Sequence, residues 1–294
     1  VCLSVDRRCL AVAIAVLPFV PLPAPYTGRT VVAISPERLA RLPIFPMDTS
    51  DWPVVKKGRL LAAQYLPAAS KILGAETVAA VPGGAGDLAL LDRDGMLHIT
   101  AGPNHASLRS STHIGLVGRP LGYMFDAKGR LLVCDSTAGL LRHDRTDGTT
   151  TLLANSLADG TPLRFVNALD ISASSGKIYF SSATDQPVSW RGGDHLGDRG
   201  FYDTMAAAKM NLVHGSPAGR LLVYDPATGK LEVLLEKLFF ANGVALAPDE
   251  SFVLVCESYG ARVMRVWLKG DRTGQSDVFV DRLPGFPDGI SKRE

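Results

Sequence analysis

A repeated pattern of paired β-strands constrains the fold of this chain more than any other feature. Four similar segments cover residues 84–100, 119–135, 165–182 and 240–258. Each begins with small residues, continues as an alternating apolar strand, turns through polar residues and ends in a second, more hydrophobic strand. Short strands separated by Gly, Asp and Pro turns predict an all-β protein.

The spacing of the repeats predicts a β-propeller. Segments 139–157 and 219–238 each add a strand, a turn and a strand, which completes a four-stranded unit. Equivalent positions at the start of the units are Gly86, Leu121, Asn167, Asn242 and Asp288. These start positions are 35, 46, 75 and 46 residues apart. Periods of about 45 residues with four short strands are typical of propeller blades.

The 75-residue interval predicts one blade with an insertion, at about residues 185–217. Within it, residues 201–212 have helical propensity. An inserted helix would either form a lid over a pocket on one face or be an idle surface excursion, and the sequence leaves both open.

The chain ends six residues after Asp288, where a further blade would have barely begun. Propellers avoid exposed sheet edges by closing the ring. We therefore expect a ring that is truncated here after about four blades, since a circle of six would need on the order of another hundred residues.

Composition excludes some classes of function. Thirty-one Lys and Arg residues against twenty-nine Asp and Glu give a formal net charge of +2, with no basic run suited to a groove. Nucleic acid is therefore not an expected partner. The four cysteines are too scattered for a disulfide framework or a zinc site. Cys134 and Cys256 occupy matching places in two repeats, so we expect small buried hydrophobic residues there.

The N-terminal residues have the pattern of a targeting segment. Arg7 and Arg8 precede an apolar run over residues 9–20, which prolines close. This pattern suits a secretory signal or a short signal anchor, with a buried strand or helix as the alternative. We therefore divide the chain into a signal or anchor segment (1–30), a lead-in (31–75) and the propeller (76–294). The propeller is then expected in the endomembrane lumen or outside the cell, membrane-anchored unless the segment is cleaved.

Residues 240–270 closely resemble the signature of the strictosidine synthase-like proteins. Supporting stretches are 118–126, 165–172, 176–185, 219–235 and 283–290. The resemblance implies a six-bladed β-propeller whose central channel opens into a pocket on one face. It also implies a more distant likeness to calcium-dependent paraoxonase and lactonase propellers, and a type II membrane or secreted protein.

Three polar start positions are candidate binding residues. Asn167, Asn242 and Asp288 begin inner strands, so their side chains can converge on the channel, where amide and carboxylate oxygens suit calcium. The resemblance implies that the matching lactonase positions hold a calcium ion that polarises an ester carbonyl. We therefore expect these three residues to bind a small-molecule substrate and calcium. The alternative is that the amides hydrogen-bond backbone.

The sequence departs from the lactonase pattern in several places. Gly86 stands where those relatives carry a Glu, Ala168 where they carry an acidic residue and Gly289 where they carry an Asn. Leu121 and Asp135 stand where the lactonases have a His pair. No GxSxG motif occurs, so a serine hydrolase triad is unsupported.

Glu257 is the candidate catalytic residue. The resemblance implies that it matches the general base of the amine–aldehyde condensation catalysed by strictosidine synthase. Because four apolar residues precede it, partial desolvation would raise its pKa toward the range useful for acid–base catalysis. The alternative is a charge that caps the end of a strand.

Three functions remain open from the sequence. The preferred hypothesis is a small-molecule hydrolase that acts on esters or lactones. A strictosidine synthase-type condensing enzyme and a non-catalytic propeller that binds a ligand or a protein are the alternatives, since a propeller fold alone decides nothing about activity.

Overall fold

Four antiparallel sheets of four strands make up most of the described chain. The structure is a computed structural model that describes residues 72–102, 105–115, 118–192 and 200–291. In every sheet the strands follow one another as an antiparallel meander, interrupted once by an insertion. The prediction of repeated four-stranded units is therefore confirmed, and the six-bladed ring stays a prediction.

The strands are numbered along the chain. Sheet 1 contains β1 (Val78–Ala80), β2 (Leu88–Leu91), β3 (Met96–Thr100) and β4 (Leu108–His113). Sheet 2 contains β5 (Pro120–Phe125), β6 (Leu131–Asp135), β7 (Gly139–His143) and β8 (Thr150–Ala154). Sheet 3 contains β9 (Val166–Ile171), β10 (Ile178–Ser182), β13 (Gly219–Asp225) and β14 (Lys230–Leu238). Between β10 and β13 the chain forms a separate inserted hairpin of β11 (Ser189–Arg191) and β12 (Phe201–Asp203). Sheet 4 contains β15 (Ala241–Leu246), β16 (Phe252–Glu257), β17 (Arg262–Trp267) and β18 (Ser276–Val280).

Asp-initiated turns set the pairing of the first two strands. In sheet 2, Asp126 Oδ1 accepts the N–H groups of Lys128 and Arg130, at 2.9 Å each. Gly129 closes this turn at a φ of 73°, in the left-handed region that glycine adopts without steric cost. A side chain that replaces backbone partners in this way favours a tight reversal over a longer strand.

The first strands of the sheets lie side by side. β5 lies against β1 on one side and β9 on the other, and β9 lies against β15. A separate apolar cluster fills each space between neighbouring sheets, around Tyr123, Phe180 and Leu246. The inner strands of sheets 2, 3 and 4 are mostly buried, whereas β1 and the fourth strand of sheet 1 are mostly exposed. This is the arrangement of propeller blades, with the first strands innermost.

Glu76 is the start position of sheet 1, and the prediction of Gly86 is wrong. In sheet 2, Leu121 lies two residues before Tyr123, which pairs with the second strand after a bulge. The same offset holds for Asn167 and Asn242. In sheet 1 the corresponding pair begins at Val78, which identifies Glu76. Gly86 lies in the loop before β2, and the first spacing becomes 45 residues.

The first strands all begin at the same end of their sheets, and we call this end the mouth. It is marked by the corrected start positions Glu76, Leu121, Asn167, Asn242 and Asp288. The inner strands approach closely where Gly122 and Gly243 follow two of these start positions. A Cβ atom on Gly122 would lie 2.7 Å from the Asn167 carbonyl oxygen, and one on Gly243 would overlap the Asp288 carbonyl oxygen.

The insertion in sheet 3 contains the predicted helix, with shifted bounds. Helix α1 spans Thr204–His214, whereas residues 201–203 pair with β11. Asp203 ends that strand and caps the helix, because its Oδ1 accepts the Ala206 N–H at 2.9 Å. Gly215 ends the helix in a left-handed conformation at a φ of 61°.

Two further predictions concern cysteines and the N-terminus. Cys134 and Cys256 are buried on β6 and β16, as predicted, and burial raises the pKa of both thiols, that of Cys256 to about 12. The predicted segment 1–30 and nearly all of the lead-in 31–75 lie outside the described residues. No helix within the described ranges is long and apolar enough to cross a membrane.

The close approach of the inner strands predicts a specific cost at Gly122. We expect Gly122→Ala to lower the free energy of unfolding by about 1–3 kcal/mol, since the methyl group must displace backbone. Gly289→Ala is the matched control, because it follows a start position but has open space around its Cβ. Urea titration of both variants measures the difference, and an equal effect would contradict the packing argument.

A carboxylate between sheets 3 and 4 predicts a pH dependence of stability. The Ser174 hydroxyl, the Ser174 N–H and the Ser172 hydroxyl donate to Glu250, and these bonds lower its pKa from 4.5 to about 2. These hydrogen bonds contribute to the free energy of unfolding above pH 4.5, and their contribution is lost as the pH falls toward 2. We therefore expect Glu250→Gln to destabilise the protein at pH 6 by more than at pH 3, as measured by urea unfolding.

Glu236→Gln is the control for this prediction. Its exposed carboxylate only approaches the exposed Lys237, at 4.0 Å. A difference between wild type and Glu250→Gln that stays constant with pH would show that the hydrogen bonds do not stabilise the ionised carboxylate.

Candidate functional site

Four polar side chains occupy start positions at the mouth. Asn167 and Asn242 are buried, at 3% and 7% exposure, while Glu76 and Asp288 are exposed. Within the described residues, none of these four side chains has a hydrogen-bond partner. The amide atoms of Asn167 and Asn242 are not among the buried atoms that lack a partner, so solvent reaches them and they are available to a ligand.

The electrostatics of Glu76 show that the mouth brings distant segments together. The surrounding protein desolvates its carboxylate and raises the pKa, although solvent still reaches one side of it. Arg119 opposes this effect, and the negative charge of Asp288 adds to it. Glu76 and Asp288 are far apart in sequence, so the fold brings their charges close enough to interact.

The predicted residues Asn167, Asn242 and Asp288 thus occupy equivalent start positions at the mouth. The expectation that the two amides instead hydrogen-bond backbone does not match the structure. Sequence reasoning missed Glu76, which the 45-residue spacing before Leu121 would have identified. Leu121 is buried and takes part in an apolar cluster.

The donor set fits a hard cation in type. Two amide oxygens and two carboxylates are ligands that calcium prefers, and a cation would offset the desolvation and the negative charge of Asp288 that raise the pKa of Glu76. Across the described part of the chain there is no group of three or more His, Cys, Asp or Glu residues that could hold a metal. A site here would thus depend on the amide oxygens of Asn167 and Asn242.

Glu257 is buried at the end of β16, and both of its oxygens are engaged. Oε1 accepts the Phe239 N–H at 2.9 Å, and Oε2 accepts from Arg262 Nε at 2.6 Å. Gly260 packs directly against this carboxylate, where a Cβ would lie 2.9 Å from the Glu257 Cδ. The geometry is that of a charge that secures a strand end, and the catalytic role of Glu257 stays a prediction.

Helix α1 packs over the mouth. Its Ala207 shares an apolar cluster with Leu121, Phe165 and Phe240, which adjoin the start positions. Tyr259, which stacks 4.9 Å from the Phe240 ring, donates a hydrogen bond from its hydroxyl to the Ala208 carbonyl at 2.9 Å. The insertion is therefore not an idle surface excursion, since its helix covers the mouth.

Comparison with known proteins confirms the resemblance to the strictosidine synthase-like proteins. The family model described as strictosidine synthase matches residues 200–271. The chain is 39% identical over 175 residues to the adipocyte plasma membrane-associated protein of Rattus norvegicus. The aligned residues cover 59% of this chain and 42% of that protein. It is 40% identical over 176 residues to strictosidine synthase-like protein 10 of Arabidopsis thaliana, covering 60% of this chain and 42% of that protein.

The chain thus spans about two fifths of the length of these relatives. Among solved structures, a gluconolactonase from Xanthomonas campestris is similar with a TM-score of 0.54 and 19% identity, over 75% of this chain and 67% of that one. At this identity the likeness shows the propeller-type fold alone.

The packing of α1 predicts that Tyr259 holds the helix over the mouth. We expect Tyr259→Phe to increase hydrogen exchange of the amides in Thr204–His214 about fivefold, because one hydrogen bond of about 1 kcal/mol is lost. Tyr202→Phe in the adjacent hairpin is the control, since that ring stacks on Trp190 without a hydroxyl partner among the described residues. Unchanged exchange in Tyr259→Phe would mean that apolar packing alone holds the helix.

Proposed function

We propose that this strictosidine synthase-like chain is a small-molecule hydrolase that acts on esters or lactones at the mouth. The observation that carries the proposal is the ring of Glu76, Asn167, Asn242 and Asp288, whose side chains have no hydrogen-bond partner among the described residues. Polar groups that the fold leaves unpaired are the groups with which an enzyme binds a polar reacting centre.

Calcium is the cation that this ring would hold. Glu76, Asn167, Asn242 and Asp288 supply its oxygen ligands, and backbone carbonyls or waters would complete the usual six to eight. When bound, it would polarise the carbonyl of the substrate and stabilise the oxyanion.

The side chains themselves have defined tasks in this proposal. The N–H groups of Asn167 and Asn242 can orient a carbonyl oxygen, and an oxygen of Glu76 that the cation leaves free can accept a proton from an attacking water. Helix α1 covers the mouth and reduces access of bulk water to the reacting centre.

The synthase alternative has less structural support. It requires Glu257 to act on a substrate amine, yet Arg262 and the Phe239 N–H engage both of its oxygens. A non-catalytic scaffold would be favoured by the absence of a Glu from the start positions, and Glu76 supplies that residue. The hydrolase is therefore preferred to both.

The relatives also suggest a cellular location. One of them is named for its association with the plasma membrane of adipocytes. By analogy, we place this chain in the secretory pathway or at a membrane, attached through the N-terminal segment if that segment is not cleaved. A protein partner is not part of the proposal.

Hydrolysis of aryl esters and lactones by the full-length protein, with calcium and with chelator, tests this function. We expect turnover that the chelator removes, and we expect Asp288→Ala and Glu76→Gln each to lower kcat/KM at least tenfold because each removes one carboxylate of the ring. Glu236→Gln, on an outer strand, is the matched control.

The other outcomes separate the alternatives. Absence of turnover in both conditions, from protein shown to be folded, would favour the binding scaffold. Condensation of an amine with an aldehyde that needs no metal and is lost in Glu257→Gln would favour the synthase.

A further inference from the structure

A serine, a histidine and an aspartate form a hydrogen-bonded triad on sheet 1. The Ser111 hydroxyl lies 2.8 Å from His98 Nδ1, and His98 Nε2 lies 3.2 Å from Asp92 Oδ2. Asp92 and His98 are buried, at 3% and 5% exposure, whereas Ser111 is exposed on β4. An exposed hydroxyl with a buried imidazole and a buried carboxylate behind it is the arrangement of a nucleophilic serine with its base.

The fold holds the three side chains of the triad in place. His98 and Ser111 lie directly opposite each other where β3 pairs with β4. Asp92 lies in the turn between β2 and β3, where its Oδ1 accepts the N–H groups of Asp94 and Met96 at 3.0 and 2.9 Å. Its other oxygen is thereby left for the imidazole. Because the members come from a turn and from a cross-strand pair, no GxSxG motif accompanies them in the sequence.

The carboxylate of the triad fixes the direction of both hydrogen bonds. An ionised carboxylate only accepts, so the proton of a neutral imidazole sits on Nε2 and points to Asp92. Nδ1 then carries a lone pair and accepts the proton of the Ser111 hydroxyl. Ser111 has no other hydrogen-bond partner among the described residues. His98 is therefore oriented as the base that Ser111 needs to act as a nucleophile.

Two other contacts between a hydroxyl and an imidazole lack these features. Thr150 lies 2.9 Å from His143 Nδ1 across β7 and β8, but its hydroxyl donates to the Ile114 carbonyl and so cannot also donate to the imidazole. Thr100 lies 2.9 Å from His105 Nδ1 and is fully buried. In the described part of the chain neither imidazole is paired with a carboxylate. The triad is therefore not a recurring structural contact of these sheets.

The strand that carries Ser111 also offers donors for an oxyanion. β4 is the last strand of sheet 1, and no described strand pairs with its outer edge. The N–H groups of alternate residues on an edge strand point away from the sheet, so those of Ser111 or of its two neighbours are free. Arg109 on the same strand adds positive charge, and Asp87 holds its guanidinium at 3.0 Å. Such groups bind the negative oxygen that forms when a hydroxyl attacks a carbonyl.

We propose that Ser111, His98 and Asp92 form a second site, which cleaves esters without a metal. Ser111 Oγ bonds to the carbonyl carbon of the ester while its proton passes to His98 Nδ1. The ester C–O bond then breaks, and that proton goes to the departing alcohol. Water attacks the acyl-serine while His98 takes its proton, which releases the acid and restores Ser111. Asp92 acts through the imidazole as a positioning residue.

The open surface of β4 selects substrates by reactivity more than by shape. Almost all of this strand is exposed, so binding of the substrate supplies little of the rate. We therefore expect small carboxylic esters with good leaving groups, such as aryl acetates, and slower turnover than at the mouth. Covalent labelling does not depend on turnover and is the sensitive measure. The triad shares no residue with the start positions, so its test is independent of the proposed hydrolase function.

Labelling of the full-length protein with diisopropyl fluorophosphate, in the presence of chelator, tests the site. The serine oxygen bonds to phosphorus and fluoride leaves, so a stable adduct marks the nucleophile, and peptide mass spectrometry locates it. We expect an adduct at Ser111 that Ser111→Ala removes. The labelling rate should fall about tenfold from pH 8 to pH 5, because a doubly protonated imidazole cannot accept the serine proton.

Ser110→Ala is the matched control, because Ser110 is an exposed serine of the same strand that lies opposite Ile99 instead of His98. This variant should be labelled at the wild-type rate. Asp92→Asn should be labelled slowly and without a rise between pH 5 and pH 8, because its amide can donate to Nε2 and leave the imidazole proton on Nδ1. If Asp92→Asn fails to fold, Ser111→Ala at its exposed position still decides.

The outcomes separate this proposal from the function at the mouth. No adduct at Ser111, or adducts at Ser110 and Ser111 in equal yield, would overturn the proposal, because the contact with His98 would then be only structural. Ester turnover that the chelator removes and that Ser111→Ala leaves unchanged belongs to the mouth. An adduct at Ser111 in protein without any chelator-sensitive turnover would refute the hydrolase at the mouth and leave the triad standing.

Discussion

Backbone hydrogen bonds that join neighbouring sheets at the mouth are the constraint on which the rest of the structure depends. Ser136 donates its N–H to the Arg119 carbonyl and accepts the Phe165 N–H, both at 2.9 Å, so one residue ties sheet 2 to sheet 3. Ala183 plays the same part between sheets 3 and 4, since its carbonyl accepts the Ala241 N–H at 3.3 Å. These bonds require close approach of the inner strands, which is why Gly122 cannot carry a side chain without displacing its neighbour.

The same bonds explain why the mouth is strained and why its side chains are unpaired. Phe165 and Phe240 adopt φ values of 53° and 65°, a region that costs a bulky residue about 1 kcal/mol or more. Each lies two residues before a start position, Asn167 or Asn242, and its carbonyl accepts a backbone N–H from the end of the second strand. Because backbone satisfies backbone here, the amides of the start positions have no structural task.

Local signals in the sequence were enough to predict the repeats, the order of strands, the inserted helix and the burial of Cys134. Alternation and turn residues act within a few positions, so they can be read without knowing the fold. The start of sheet 1 escaped this reasoning because its first strand, Val78–Ala80, is only three residues long and is followed by a Gly-rich loop. That loop resembles the small-residue beginning of the other repeats, and only strand pairing distinguishes Glu76 from Gly86.

The roles of buried carboxylates depend on partners that the sequence does not place. Glu257 was correctly expected at a strand end, but its pairing with Arg262 follows from the cross-strand register of β16 and β17. Asp135 occupies the equivalent position without such a partner across the ladder, since Gly139 pairs with it there. The same position therefore secures a strand end in one sheet and presents a free acceptor in another.

A single guanidinium distinguishes sheet 2 from the other sheets at the mouth. In every other sheet the position two residues before the start carries Gly or Phe, whereas sheet 2 carries Arg119. Burial raises the pKa of Glu76 and the charge of Asp288 adds to this effect, whereas Arg119 opposes it. The proton affinity of Glu76 therefore depends on a side chain that only sheet 2 supplies at this position.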